Sequence, residues 1–255
     1  MTSPQSQKTF QEENPEFYDI EYCLATEYRY FSGAHGSRIE NILGIAGDVS
    51  GRRILDIGCG MGYFTHELHK RGARVIGIDY SYASISFAKG RFPDLDLRVH
   101  SAYDLKSFEV ESFDLVTLID VIEHMSDPQK IVGGIHQVLK PDGRLVLSTD
   151  LHHGPWSRGL FKHLAVKSQV LSKGGRAYRL IKRVESYRRQ FKNYHASHLN
   201  SLTHDGLEKL LALKNFNMLD HRVYPLVGVP VRDLFFRLLP RKYRGDHQCV
   251  LAQKL

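Results

Sequence analysis

Leu55-Asp56-Ile57-Gly58-Cys59-Gly60-Met61-Gly62 is the stretch on which the fold turns. It leaves a short apolar run, Arg52-Arg53-Ile54-Leu55-Asp56-Ile57, that reads as a buried strand ending at Gly58. It enters the helical pattern of Tyr63 to Lys70. Glycines at 58, 60 and 62 allow a tight turn and let a ligand approach the backbone without meeting a Cβ. The spacing is GxGxG. A dinucleotide fingerprint, GxGxxG, wants glycine at 63, where this chain has Tyr63. Asp79 closes the next strand, 21 residues after Gly58, where a carboxylate suits the two hydroxyls of a ribose. The plain alternative is a glycine-rich turn that binds nothing. Asp56 ahead of the loop and Asp79 beyond it favour a ligand.

Outward from this loop, strand and helix signals alternate. Arg74 to Asp79 reads as a second strand, Ser81 to Lys89 as a helix, and Leu95, Leu97 and Val99 as an alternating third strand. Phe113 to Ile119 is a fourth strand. Asp127-Pro128 opens a helix that runs to Leu139, with proline in its first turn. Lys140-Pro-Asp-Gly143 is a turn, and Arg144 to Thr149 a fifth strand. Short loops between alternating strands and helices make βαβ units and a parallel sheet. Further on, Thr203 caps a helix to Leu213, and Phe216–Tyr224 and Gln248–Ala252 read as strands that close one edge as an antiparallel pair. Four regions result: a tail and helical cap over 1–50, a core over 51–150, a basic insertion over 151–200, and the rest of the core over 201–255 with an insertion at 225–246. Residues 1–13 are expected to be a frayed tail, and a tyrosine-rich helical pattern runs from Pro15 to Gly47.

The 255 residues are 42% hydrophobic and 25% charged, an ordinary globular balance that excludes global disorder. No apolar run approaches the roughly 18 residues that span a bilayer. The polar first residues, Met1 to Glu13, show no secretory h-region. Cys23, Cys59 and Cys249 are far apart with no CxxC pair, so neither a disulfide framework nor a structural zinc site is expected, and a cytoplasmic location is the default. Residues 151–200 hold eleven Lys and Arg against one acidic residue, Glu185, a net of +10 within a chain of net +7. The first fifty residues are net −5. One segment is therefore basic, and it is expected to face an anionic surface or ligand.

Taken together, Leu55-Asp-Ile-Gly-Cys-Gly-Met-Gly62, Val75-Ile-Gly-Ile-Asp79, Phe113-Asp-Leu-Val116, Ile122-Glu-His-Met-Ser-Asp-Pro128 and Leu139-Lys-Pro-Asp-Gly-Arg-Leu145 resemble the class I S-adenosylmethionine-dependent methyltransferases. The motifs cover roughly residues 50–150. The resemblance implies an α/β, Rossmann-like class I methyltransferase fold: a mostly parallel seven-stranded sheet with an antiparallel edge strand and helical insertions. It implies S-adenosyl-L-methionine as cofactor. Asp56 and the backbone at Gly58 and Gly60 would hold the methionine moiety, Asp79 the ribose, and Tyr80 would pack on the adenine. Ala102 and Tyr103 would border that ring; the chain carries Ser101 where many relatives have Asp. Asp120 would lie near the methionine carboxyl end and the substrate mouth.

Methyl transfer needs alignment and exclusion of water, and a base only when the acceptor must lose a proton. His124 is the base candidate; the bland reading is that Glu123 and His124 fix the loop after the fourth strand. Ubiquinone-type O-methyltransferases carry a similar run, which leaves Asp120, Glu123 and His124 as an alternative metal set, although no metal is expected. His152 and His153 are spare bases. Cys59 is read as packing, as are Tyr63 and Phe64, and the His66/His69 pair lacks a third metal ligand. In the basic segment, apolar residues recur at helical spacing across 158–192. This suits a cap over the site, with a contact to anionic membrane as the second reading. The function expected is methyl transfer to a small-molecule acceptor, O-methylation of a lipophilic or phenolic compound in particular. The competing classes are a nicotinamide-dependent oxidoreductase and a non-catalytic adenosine-binding module that docks to a membrane or partner. No specific nucleic acid is expected, and the sequence leaves the oligomeric state open.

Overall fold

A computed structural model describes residues 36–150, 200, 202–224 and 247–255. In chain order the elements are α1 (Gly36–Ala46), β1 (Arg53–Ile57), α2 (Tyr63–Lys70), β2 (Arg74–Asp79), α3 (Tyr82–Arg91) and β3 (Asp96–Val99). They continue as β4 (Phe113–Ile119), α4 (Pro128–Val138), β5 (Leu139–Asp150), α5 (His204–Ala212), β6 (Phe216–Tyr224) and β7 (His247–Lys254). Single 3-10 turns, Leu105–Ser107 and Ile122–His124, flank β4. The tyrosine-rich stretch before residue 36, the basic segment 151–199 with His152 and His153, and the insertion 225–246 lie outside the described residues.

The strands form one sheet in the order β3-β2-β1-β4-β5-β7-β6. β1 to β5 pair in parallel, and β7 runs antiparallel to both β5 and β6. The antiparallel pairing thus falls at the expected edge. The reversed strand is β7, one place in, and the outermost strand, β6, runs with the others.

Neighbouring residues of each strand go to opposite faces, and both faces are covered. Ile54, Val75, Leu115, Val146 and Leu251 pack with Ile42 and Leu43 of α1 and Leu68 of α2. Leu55, Val116, Leu145 and Val250 pack on the other side with Ile131 and Ile135 of α4 and Leu207 and Leu211 of α5. This explains the unbroken apolar runs of the central strands.

The helix starts follow from local chemistry. Ser81 Oγ accepts from Ser84 N at 3.1 Å, so α3 begins one residue beyond the serine. Asp127 caps α4 by accepting from Lys130 N at 3.0 Å, with Pro128 in the first turn. Thr203 caps α5 by accepting from Gly206 N at 3.1 Å. The expected turn at Lys140–Gly143 is instead a bulge inside β5: Phe113 pairs with Leu139 while Leu115 pairs with Arg144, and Asp142 has φ 58°.

From β1 the chain builds toward β2 and β3, then returns to lay β4 on the other side. The order reverses between β1 and β4, and in open α/β sheets ligands bind outside the carboxyl ends of such a pair.

Candidate functional site

The glycine loop joins β1 to α2 at that reversal. Gly58 and Gly60 have φ 72° and 51°. A Cβ on Gly58 would run into Val121 Cγ2, just beyond β4, so the loop lies directly against the chain across the switch point. A Cβ on Gly60 would meet nothing within 4 Å. The loop is therefore closed on one side by Val121 and presents bare backbone at Gly60.

Two carboxylates hold this loop from different places. Asp79 Oδ2 accepts from Gly60 N at 2.9 Å and its Oδ1 accepts from Ser81 N at 2.8 Å. An ionised carboxylate offers about four lone-pair directions, so each oxygen keeps acceptor capacity for a further donor. Burial pushes the Asp79 carboxyl up, and the two N–H bonds pull it back. Asp56 lies beneath the loop. It is 2% exposed, and it accepts from Thr65 Oγ1 at 2.6 Å and from Thr117 Oγ1 at 2.7 Å. Its carboxyl is pushed up to about 6 by burial, with the charge of Asp79 adding to the rise. Asp56 thus ties β1 to α2 and β4, and it bears on a ligand through the loop.

Tyr80 follows Asp79 and is 38% exposed. Ala102 and Tyr103 pack, partly buried, on the core beyond β3. Tyr103 Oη accepts from Asp127 N at 3.0 Å and lies 3.1 Å from Ser126 Oγ, which ties this rim to the start of α4. Cys59 is buried beside Gly77, where a Cβ would stand 3.1 Å from its Sγ. Burial, Asp79 and Asp56 together push its thiol up, as befits an inert packing residue. His66 stacks on Phe92 with centroids 4.4 Å apart, and Tyr63 meets the same ring edge-on at 5.3 Å; both are packing residues of α2.

Asp120 ends β4 at φ 55°. Its Oδ1 pairs with Arg38 of α1, and Arg38 Nη2 also donates to Ser148 Oγ at 2.9 Å. Burial works against both charges, but each is outweighed by the other, so the Asp120 carboxyl is held down and the Arg38 guanidinium up. Glu123 is 3% exposed and accepts from Thr149 Oγ1 at 2.9 Å. Burial, with Asp120 and Asp150 nearby, pushes its carboxyl well above the usual range. His124 is half-buried in the 3-10 turn, its backbone N–H bonded to Val121 O at 3.0 Å. Asn200 is pinned to the same turn: its N–H donates to Glu123 O at 3.0 Å and its side-chain amide to Met125 O.

The alternative metal set is not gathered. Among the described residues, the His/Cys/Asp/Glu group whose ligand atoms lie within 4.8 Å of one another is His204, Asp205 and Glu208, at the start of α5. Asp120 is drawn to Arg38 and Glu123 to Thr149, so the two carboxylates of the run point to different partners. The sequence reading missed Arg38, Thr65, Thr117, Ser148 and Thr149. The one signal available was polar residues, Thr117, Ser148 and Thr149, inside or at the end of otherwise apolar strands.

The Methyltransferase domain family matches residues 55–147, from the glycine loop through most of β5. The sheet order and the loop geometry agree with that match over the same residues. The chain is 36% identical over 145 residues to a ubiquinone biosynthesis O-methyltransferase of Alkalilimnicola ehrlichii, covering 54% of this chain and 57% of that one. A protein of the same name from Neisseria meningitidis is 33% identical over 153 residues, covering 58% and 62%. The match thus spans less than two thirds of these relatives. A SAM-dependent methyltransferase from Archaeoglobus fulgidus shares the fold with a TM-score of 0.62 at 17% identity, covering 92% of this chain and 100% of that one.

Proposed function

We propose that the chain transfers a methyl group from S-adenosylmethionine to an oxygen of a small, lipophilic, phenol-like acceptor. The observation that carries this reading is the bare backbone at Gly60 with the Asp79 carboxylate directly beside it. In this reading Asp79 accepts from both ribose hydroxyls, the Gly58 and Gly60 backbone holds the methionine moiety, and Asp56 keeps that backbone in place. Tyr80 covers one face of the adenine, and Ala102 and Tyr103 border its rim. Asp120, paired with Arg38, borders the mouth near the methionine carboxyl end. When bound, S-adenosylmethionine supplies an electrophilic methyl on a positively charged sulfur. The chain's own task is to align the acceptor and exclude water. The names of the two relatives support oxygen as the accepting atom and a lipophilic quinone-type acceptor. The basic segment, with apolar residues at helical spacing over 158–192, supports collection of that acceptor at an anionic surface.

Calorimetry tests the reading. Adenosylhomocysteine is expected to bind and NAD is not. Asp79→Ala removes charge-assisted hydrogen bonds worth about 1.5–3 kcal/mol, or roughly 10- to 100-fold in affinity. Unchanged affinity in that variant removes the ribose role. Radiolabel from methyl-labelled S-adenosylmethionine is expected in the lipid-soluble fraction of an extract.

A further inference from the structure

The strand order brings one more pair of groups to the mouth. Because β7 is reversed, its first residue, His247, stands at the same end of the sheet as the carboxyl ends of β4 and β5. In register it lies opposite Asp150, two pairs beyond Ser148–Cys249 and therefore on the same face of the sheet. Ser148 on that face touches Arg38, the partner of Asp120. His247 therefore belongs to the Asp120 end of the site, and its charge bears on the Asp120 carboxyl.

The ring is 4% exposed, and its Nδ1 stands 2.8 Å from Asp150 Oδ1. The contact is off the line of a good hydrogen bond, and among the described residues neither ring nitrogen has a hydrogen-bond partner. A buried imidazole nitrogen left this way is costly to keep, and such groups mark functional positions. A carboxylate beside Nδ1 favours the proton on that nitrogen and leaves the Nε2 lone pair as an acceptor. Ligand binding commonly tightens such loose contacts.

We propose that His247, positioned by Asp150, is the base that takes the proton from the acceptor's hydroxyl. The proposal rests on the methyl-transfer reading above. The O–H bond breaks, its proton forms an N–H bond at Nε2, and the oxygen keeps the electron pair. That pair bonds to the methyl carbon of the sulfonium donor as the carbon–sulfur pair withdraws onto sulfur. The proton then leaves His247 for solvent. Among the described residues, the charged and titratable groups near the ring are Asp150 of β5, Asp120 at the end of β4, Arg38 of α1, and Glu123 and His124 of the turn. Tyr224 of β6 lies opposite His247 in register. His124, the base candidate of the sequence, stands in the neighbouring turn and is the alternative that the test below separates from His247.

The test uses 4-nitrocatechol, whose absorption reports its own ionisation, bound to the full chain saturated with adenosylhomocysteine. A base beside the hydroxyl becomes a cation next to the phenolate, and is expected to lower the probe's ionisation midpoint by roughly 1–3 pH units. His247→Gln is expected to return the midpoint to that of the free probe while adenosylhomocysteine affinity is kept. Asp150→Asn is expected to raise it as well, which decides the matter if His247→Gln fails to fold. Four results overturn the assignment: no ionised probe on the wild-type chain, an unchanged midpoint in His247→Gln, an unchanged midpoint in Asp150→Asn, or loss of ionisation in His124→Gln alone. Failure of adenosylhomocysteine to bind at all brings down the methyl-transfer reading itself, and the base with it.

Discussion

Two glycines two residues apart do different work. Gly58 lies against Val121, so Gly58→Ala combines a left-handed alanine, costing about 1–2 kcal/mol, with overpacking of about 1–3 kcal/mol. Gly60 faces open space, and Gly60→Ala costs only the left-handed backbone, about 1–2 kcal/mol. Gly60→Ala is expected to melt closer to wild type yet to bind adenosylhomocysteine at least about tenfold more weakly, a loss of about 1.4 kcal/mol. Gly58→Ala is expected to lose the larger share in thermal stability. Melting curves and calorimetry on both variants check the contrast, and equal losses in both would remove it. The glycine spacing made the loop legible, because glycine is read directly from the chain. Val121 as the neighbour was not legible: it is 63 positions away and becomes a contact only when β4 is laid beside β1. The same holds for Asp56, whose threonine partners come from α2 and β4.

At the scale of elements, local chemistry was readable and long-range pairing less so. Tyr63–Lys70 and the Thr203 cap came directly from periodicity and a single hydroxyl. Lys140–Gly143 has the composition of a turn, yet pairing with β4 resumes on both sides of it, so the segment is absorbed as a bulge. The Arg38–Asp120 pair joins residues 82 apart and left no periodic trace. The start of α4 is the place where an element touches the site. Asp127→Ala removes the side-chain cap and is expected to cost about 1 kcal/mol. Because Asp127 N also donates to Tyr103 Oη, the loss should spread to the rim around Tyr103. Urea denaturation measures the first effect; faster amide exchange over residues 101–104 in the variant would show the second.

For the whole molecule, buried acids set the pH response. Asp56 moves from 3.8 in the unfolded chain to about 6 when folded. The folded state then holds a proton that the unfolded chain has lost, so this group's contribution is fully present below pH 3.8 and is lost as pH rises through about 6. The size is on the order of 3 kcal/mol. Glu123 acts in the same direction. Asp120, held down by Arg38, acts oppositely, but its contribution is lost only as pH falls below the ordinary carboxylate range. Stability should therefore fall between pH 4 and pH 7, and Asp56→Asn should flatten that slope, as read from urea midpoints across the range. Identical slopes in both proteins would contradict the burial argument. Charge distribution gives a second global test. With its excess of Lys and Arg over 151–200, the chain is expected to co-sediment with anionic vesicles, less so as salt rises, and not with neutral ones. Equal pelleting with both, or with neither, would remove the surface contact.

The seating of β7 between β5 and β6 also bears on how the chain assembles itself. Residues 53–150 can lay down five parallel strands in order as they emerge from a ribosome, but β6 has no partner in that sheet until residues 247–254 arrive. Until then β5 presents a row of unpaired amides and carbonyls, an edge open to pairing with another nascent chain. The loop that cradles the ligand is complete long before this, while Asp150 waits for His247. Early ligand capture by an unfinished chain would steady the half that is already built and leave the exposed edge untouched, so a chaperone acting on this protein would be most needed while residues 151–254 are made, roughly 5–20 s at typical translation rates.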